Sequence, residues 1–357
     1  MRYAETGYNL EIDLSRGSIE RVESDPGWTD LYLGGQGTAG KILWDRVPPE
    51  VEPFSPDNLL IFSAGLLLAT PVPGANRTTV DTISPQTNLY AHSLFGGFFG
   101  PELKHAGYDK IVIRGKASDL VYLWIHNDKV EIRDAEHLRG KGALETGALI
   151  KEELKQPDAQ VAAIGMAGEN RVYMATIEHA NSSASRGVGV IMGDKGLKAI
   201  AVRGTKDIHV ARPKELFDIC NPMYQSIYDN PHCGDVFLHE DDEEWHVNNF
   251  AWGNARERHK GYWNKEREAR WKAISDDVRL RWTGCYNCPK DCHQAIKYPG
   301  RQTYFQKCYS KLTYCMAAYK ELDFNYDILG VTQEHGLDAT PRRRSLPFPL
   351  NYTRLAF

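Results

Sequence analysis

The sequence predicts an α+β chain: a β-rich first part to about residue 210, then a segment of helices and loops. Three observations carry this. Strand-like alternation of apolar and polar residues recurs as far as Val202. Helical spacing takes over at Pro213. Three cysteines, Cys285, Cys288 and Cys292, gather in the second part with C-x2-C-x3-C spacing.

In chain order, Tyr8–Leu14 alternates apolar and polar. Ser15-Arg16-Gly17-Ser18 then turns the chain into Ile19–Val22, which makes a hairpin. Strands follow at Leu59–Phe62, Thr78–Ile83, Lys110–Ile113, Leu120–Ile125 and Lys129–Ile132, with Asn127-Asp128 as a two-residue turn between the last two. Val161–Ile164, Val172–Ile177 and Ala199–Val202 complete the strands. Helical periodicity appears over Thr38–Trp44 and Ala143–Leu154. Pro213–Tyr228 reads as a helix, with Pro in the first turn and Leu216, Ile219, Met223 and Ile227 three and four apart. The domain boundary falls near Val210. The parts are 1–210, 211–338 and a tail, 339–357, in which Arg342-Arg343-Arg344, Pro347 and Pro349 leave no apolar period. That tail reads as disordered or as a break in the reading frame.

Composition narrows the class. The chain has 357 residues, 42% hydrophobic and 25% charged, which suits a soluble globular protein of two domains. A net charge of −4 argues against a nucleic-acid binder. No apolar run reaches the roughly 20 residues that span a bilayer. The first residues lack the form of a secretory signal, so a cytoplasmic setting is expected. Seven cysteines, an odd number with three clustered, fit a reducing compartment and a metal better than a disulfide framework.

The cysteine cluster is the sharpest motif. Thiolates this close can turn inward on one centre, and three with a distant fourth suit a [4Fe–4S] cluster. Zinc, which favours two separated pairs, and bystander thiols are the alternatives. Cys308, about one helix further on, is either a buried structural thiol, the fourth cluster ligand or a ligand to another soft metal. Phe95–Gly100 (FGGFFG) and Ser185–Gly193 (SRGVGVIMG) are glycine-rich without forming a dinucleotide fingerprint. Each is a tight turn or a backbone cradle for an anionic cofactor, with Arg77 and Arg186 as phosphate partners. His239–His246 (HEDDEEWH) is a solvated acidic face or a proton-donating cluster containing Glu243 and His246.

With those residues in view, the chain resembles the aldehyde:ferredoxin oxidoreductase family of tungsten–pterin enzymes over about residues 1–338. GPELKHAGYDKIVIRGKA, AAIGMAGENRV and VIMGDKGLKAI carry the resemblance together with the cysteine cluster. YAETGYNLEIDL, KILWDRVPPEVEPFSP, EEWHVNNFAWGNAR and KCYSKLTYCMAAYKELDF look most like the benzoyl-CoA reductase branch of that family. The resemblance implies a β-rich two-sheet pterin-binding domain followed by an α-helical domain, incomplete here because members run much longer. It also implies a tungsten bis-pterin, magnesium bridging the pterins, and a [4Fe–4S] cluster. An electron-transfer partner, either ferredoxin-like or an iron–sulfur subunit, is expected as well. The implied reaction is low-potential reduction of an aromatic acyl-CoA or, alternatively, oxidation of an aldehyde to a carboxylate; an inactive fragment is the non-enzyme alternative. By position, Cys285, Cys288 and Cys292 match cluster ligands, and Cys308 matches a thiolate on tungsten. His246 and Glu243 match proton donors. Arg77, Gly96 and Gly97 match the first pterin loop, and Arg186, Gly187 and Gly189 the second. Where the family commonly has Asn ahead of the first Gly-Gly, Leu94 and Phe95 stand here.

Overall fold

The computed structural model describes residues 2–180, 182–229, 273, 276–289, 293–297, 303–306 and 323–338. The opening hairpin forms as the alternation requires: β1 (Tyr8–Asp13) pairs antiparallel with β2 (Ser18–Glu23). Helix α1 (Pro26–Tyr32), which the sequence reading lacked, starts at Asp25, whose carboxylate accepts from the Gly27 N–H at 2.8 Å. α2 (Gly35–Arg46) begins one turn before the expected Thr38. The chain continues through β3 (Leu60–Ala64), β4 (Thr78–Ser84), β5 (Leu89–Phe95), α3 (Phe99–Ala106) and β6 (Lys110–Arg114). β7 (Val121–His126) and β8 (Lys129–Asp134) form the expected hairpin, and α4 (Ala143–Leu154) has the expected bounds. Then come β9 (Gln160–Ile164), the single turn α5 (Met166–Glu169), β10 (Ile177–His179), β11 (Ser182–Ala184), α6 (Val188–Asp194), β12 (Leu197–Arg203) and α7 (Pro213–Asp229).

Two expectations are corrected. The strand read at Val172–Ile177 is confined to Ile177 and the two residues after it. The Val172 N–H closes a turn on the Ala167 carbonyl instead of entering a ladder. The stretch beyond residue 210, read as helices and loops, contains a three-stranded sheet: β13 (Arg279–Thr283), β14 (His293–Lys297) and β15 (Thr303–Gln306), followed by α8 (Asp323–His335).

The first two sheets have six strands each, in the orders β2-β1-β6-β3-β4-β5 and β11-β10-β9-β12-β7-β8. β1 pairs parallel with β6 and β12 parallel with β7; the other described pairings are antiparallel. Period-two alternation sends Leu10, Ile12, Leu60, Phe62, Val80, Ile111 and Ile113 of the first sheet inward. They meet Leu123, Ile125, Ala162, Ile164, Ile200 and Val202 of the second in one core. α3 and α6 lie in that core and touch strands of both sheets. Each such fully buried Val, Leu, Ile or Phe side chain is worth about 1.5–3 kcal/mol. Outside, α2 covers Ile61 and Val112 of the first sheet, and α4 covers the outer face of the second through Ile150. The structure is thus α+β, as expected, with two large sheets in the first part and a small third sheet after it.

α6 reads as glycine-rich because it is hemmed in on all sides. A Cβ at Gly189 would lie 2.7 Å from the Ala175 carbonyl, and one at Gly193 would fall far inside contact with the Gly168 carbonyl oxygen. Two buried lysines tie loops to this frame. Lys104 Nζ donates to the carbonyls of Ala4, Gly65 (3.3 Å) and Leu66 (2.8 Å). Lys195 Nζ donates to those of Asn58 (2.6 Å) and Gly115 (3.2 Å). Burial lowers each ammonium to about 8. The end of α8 is fastened to the first part as well: Thr176 N–H donates to the Gly336 carbonyl at 2.7 Å, and Asp338 N–H to that of Met174 at 2.9 Å.

Candidate functional site

The site grows from the edge strands of the two large sheets. β5 ends at Phe95 and runs through Gly96 and Gly97 into α3. Gly97 sits at φ +109, a conformation that favours glycine. At Gly96 the restriction is space: a Cβ there would be 2.9 Å from both Arg77 Nη1 and Cys285 Sγ. Residues from the first glycine loop, the start of β4 and the cysteine cluster therefore converge on one Cα.

The second sheet holds this turn in place. Gly96 N–H donates to Ser182 Oγ at 2.8 Å and Phe98 N–H to His179 Nε2 at 3.3 Å. The His179 ring is buried against Phe95 and Phe99, with Nδ1 2.9 Å from the Val161 carbonyl, which leaves Nε2 as the acceptor. His179 and Ser182 carried no signal in the sequence; only the pairing of β10 with β11 brings them together.

The cysteine loop connects β13 to β14, whose ends pair through Thr283 and His293. Cys288 N–H donates to the Cys285 carbonyl at 3.1 Å, and Asn287 takes the left-handed conformation at φ 47 that closes such a turn. Four hydrogen bonds dock the loop on the first part. Tyr286 N–H donates to the Gly97 carbonyl (3.2 Å), Gly74 N–H to that of Asn287 (2.7 Å), Asn287 Nδ2 to that of Thr70 (2.7 Å) and Asn76 Nδ2 to that of Tyr286 (3.1 Å). The Tyr286 ring meets Phe98 edge-on at 6.1 Å, and burial raises its phenol above the ordinary range. Cys285 is buried and Cys288 half-buried. Beside this loop a cleft of about 410 Å³ is lined by Ala69, Thr70, Phe217, Cys220, Tyr224 and Tyr286, among others.

The second glycine loop leaves β11 at the facing edge. Arg186 (φ 64) and Gly187 (φ 83) are both left-handed, held by Ser84 Oγ donating to the Arg186 carbonyl at 2.8 Å. Ser185 N–H donates to Ser93 Oγ, and Arg186 Nη1 to the His92 carbonyl, each at 2.9 Å. Arg186 thus lies along β5. Gly189 packs inside α6, its Cα against Ala175–Thr176. Between the loops, the outer face of β4 and β5 carries Thr79 and Asp81 opposite Leu94 and His92, with Arg77 and Gly96 just beyond the paired ends of the two strands. Asp81 is fully buried, and its Oδ1 accepts from Tyr90 OH at 2.6 Å and lies 3.0 Å from His92 Nδ1. Burial first, then this hydrogen bond, raises the Tyr90 phenol well beyond the usual tyrosine range. An Asp inside the apolar strand Thr78–Ser84 was the signal for this pair, but only the antiparallel register reveals its partner. Cys292, Cys308, His246 and Glu243 lie outside the described residues.

These loops coincide with a known family domain. The family model described as the N-terminal domain of aldehyde ferredoxin oxidoreductase matches residues 9–204. The chain belongs to the aldehyde ferredoxin oxidoreductase family. Among curated members, the tungsten-containing aldehyde ferredoxin oxidoreductase of Pyrococcus furiosus is 35% identical over 309 residues, covering 83% of this chain and 50% of that protein. The protein of the same name from Pyrococcus abyssi is 40% identical over 230 residues, covering 64% of this chain and 38% of its own. A solved structure, the active-site complex BamBC of benzoyl coenzyme A reductase with 1,5-dienoyl-CoA, superposes with a TM-score of 0.88 at 56% identity. The match covers 95% of this chain and 54% of that one. The chain spans about half the length or less of these curated relatives. Aldehyde ferredoxin oxidoreductases are oxidoreductases, and the two Pyrococcus relatives are tungsten-containing. No helix among the described residues is long and apolar enough to cross a membrane.

Proposed function

We propose that this chain is the cofactor-binding part of a tungsten–pterin oxidoreductase that passes electrons at low potential to an aromatic acyl-CoA. The convergence of Arg77, Gly96 and Cys285 carries the reading. A glycine at which even a methyl group would crowd both neighbours stands between an exposed guanidinium and a thiol, which joins an anion-binding loop to an iron-binding one. The residues fit such groups. Arg77 has no hydrogen bond or ion pair among the described residues, so its fork is available to a phosphate. Thiolates are the ligands that iron–sulfur clusters take. The 56% identity to a benzoyl coenzyme A reductase complex supports the acyl-CoA substrate.

In this reading Arg77 with Gly96 and Gly97, and Arg186 with Gly187 and Gly189, would hold the two pterins. Cys285, Cys288 and Cys292 hold a [4Fe–4S] cluster, and Cys308 supplies a thiolate to tungsten. The bound metal and its dithiolenes supply several accessible oxidation states at low potential. His246 and Glu243 deliver the protons that ring reduction consumes. Phe98 and Tyr286, packed edge-on at the loop junction, tie the first glycine loop to the cysteine loop. An iron–sulfur or ferredoxin-like partner is the electron donor, and residue 210 marks the division between the pterin-binding and cluster-bearing parts. Oxidation of aldehydes to carboxylates is the second reading, favoured by the names of the curated relatives.

Elemental analysis of the anaerobically purified chain tests the cofactors. Tungsten with about four irons per chain is expected for one cubane, and Cys285→Ser is expected to lower the iron. Absence of both metals would sink the reading for this chain. Reduced viologen with benzoyl-CoA, against a panel of aldehydes, separates the two substrate classes.

A further inference from the structure

Asp81 presents an unusual arrangement for a strand interior. It is fully buried, yet both of its donors, Tyr90 OH and His92 Nδ1, lie against one oxygen, and Oδ2 has no hydrogen-bond partner among the described residues. A buried carboxylate is costly unless it is paired and hydrogen-bonded, and its hydrogen bonds then constrain the groups that make them. Here they fix a ring. Asp81 and His92 are cross-strand partners on the outer face of β4 and β5, and an ionised carboxylate can only accept. Nδ1 of His92 therefore carries the proton, and in the neutral ring Nε2 is left as an acceptor. Carboxylates orient ligand-binding histidines in the same way. The His92 side chain is 18% exposed, and Nε2 has no partner among the described residues.

Position gives this acceptor a purpose. The carbonyl of His92 is bound by Arg186 of the second loop. Leu94 continues the same strand face toward Gly96 and the first loop. His92 therefore stands between the two. The guanidinium groups of Arg77 and Arg186 can only donate, whereas a pterin ring bears N–H groups as well as oxygens, so its donors need an acceptor on this face.

We propose that His92, oriented by Asp81 and flanked by Tyr90, is a positioning residue whose Nε2 accepts a hydrogen bond from a ring N–H of the organic cofactor. This rests on the pterin reading above and adds to it a contact on the strand between the two glycine loops.

The test has two independent readouts. In the chain labelled with 15N-histidine and free of cofactor, the His92 signal is identified by its loss in His92→Phe. Nδ1 is expected to be protonated and Nε2 bare, and Asp81→Asn, whose amide can donate to Nδ1, is expected to invert the tautomer. A protonated Nε2 in the unsubstituted chain overturns the proposal. Second, pterin released by oxidation is measured by fluorescence, alongside tungsten per chain, after dilution of anaerobically prepared protein. Loss of one hydrogen bond predicts about five- to tenfold weaker retention in His92→Phe and Asp81→Asn. His92→Gln, which can offer an amide oxygen, is expected to stay within about twofold of the unsubstituted chain. Circular dichroism checks the fold of each variant. If Asp81→Asn unfolds, the contrast between His92→Phe and His92→Gln still decides. Retention in His92→Phe equal to that of the unsubstituted chain overturns the role of His92 and leaves the pterin reading standing. If the unsubstituted chain carries neither pterin nor tungsten, the pterin reading falls and takes the proposal with it.

Discussion

Replacing Gly96 by Ala isolates the contact on which the site depends. The φ of Gly96 lies outside the left-handed region, so the change adds a methyl group and no backbone strain. That methyl would sit 2.9 Å from Arg77 Nη1 and 2.9 Å from Cys285 Sγ, against an ordinary spacing of about 3.5–4.0 Å. Arg77 is exposed and can swing away. The backbone of Cys285 is less free, because the two residues after it are pinned by the bonds from Tyr286 to Gly97 and from Gly74 to Asn287. The relief comes from turning the Cys285 side chain out of its buried position or from displacing the cysteine loop, at an overpacking cost of about 1–3 kcal/mol. If that cost falls on loop docking, the undocked fraction rises by about fivefold to a hundredfold. The assay is the rate at which a soluble maleimide labels Cys285 in the metal-free chain, with a thermal melt in parallel. Faster labelling with a small change in melting temperature is the expected pattern. Labelling of Gly96→Ala at the rate of the unsubstituted chain would refute the convergence of the loops.

Other consequences follow from the same geometry. Asn287→Ala removes the hydrogen bond to Thr70 and places a residue less tolerant of φ 47 in the turn, so about 1–3 kcal/mol of stability should be lost; Asn287→Gly should lose less, as melting temperatures will show. Gly193→Ala drives a methyl into the Gly168 carbonyl, which is backbone and cannot rotate aside, so a loss of about 3 kcal/mol or more is expected by urea denaturation. Stability should also depend on pH above neutrality. Lys104 and Lys195 bind their protons less tightly folded (about 8) than unfolded (10.5), so the unfolded chain holds more protons between those values and stability rises with pH there. Tyr122 is shifted the opposite way, to about 12 from 10.0, chiefly by burial, so above pH 10 the folded chain holds the extra proton and stability falls. Urea midpoints from pH 7.5 to 11 should therefore pass through a maximum near pH 10, and a steady fall across that range would contradict the assignment.

The parts of the fold legible in the sequence are those in which one element meets one kind of neighbour. Tyr8–Asp13 alternates because one face meets the core and the other does not, and Ala143–Leu154 shows a helical period because only one stripe is covered. α3 and α6 escaped because they are only two turns long and their glycine-rich entries read as turns. β5 was hidden by polar residues, Tyr90, His92 and Ser93, that serve the site and the facing edge rather than the core. β13–β15 were masked by the cysteine motif set between two short strands. For the site, motif spacing singled out Arg77, Gly96 and Cys285 one by one, but their meeting depends on contacts across some two hundred residues of chain. The Asp81–His92 pair and the support from His179 and Ser182 depend on register, which a linear reading does not contain.

The two loops also share a plan. Each leaves the outermost strand of its own sheet, β5 or β11, turns through glycine, and enters a helix held between the sheets. The exposed borders of two sheets, ordinarily invitations to aggregation, are turned toward each other and joined through Ser93 and Ser182. A ligand gripped by both loops would act as a clasp across that seam. Its binding energy would add to the cohesion of the sandwich, so that loading the cofactor and consolidating the fold become a single event.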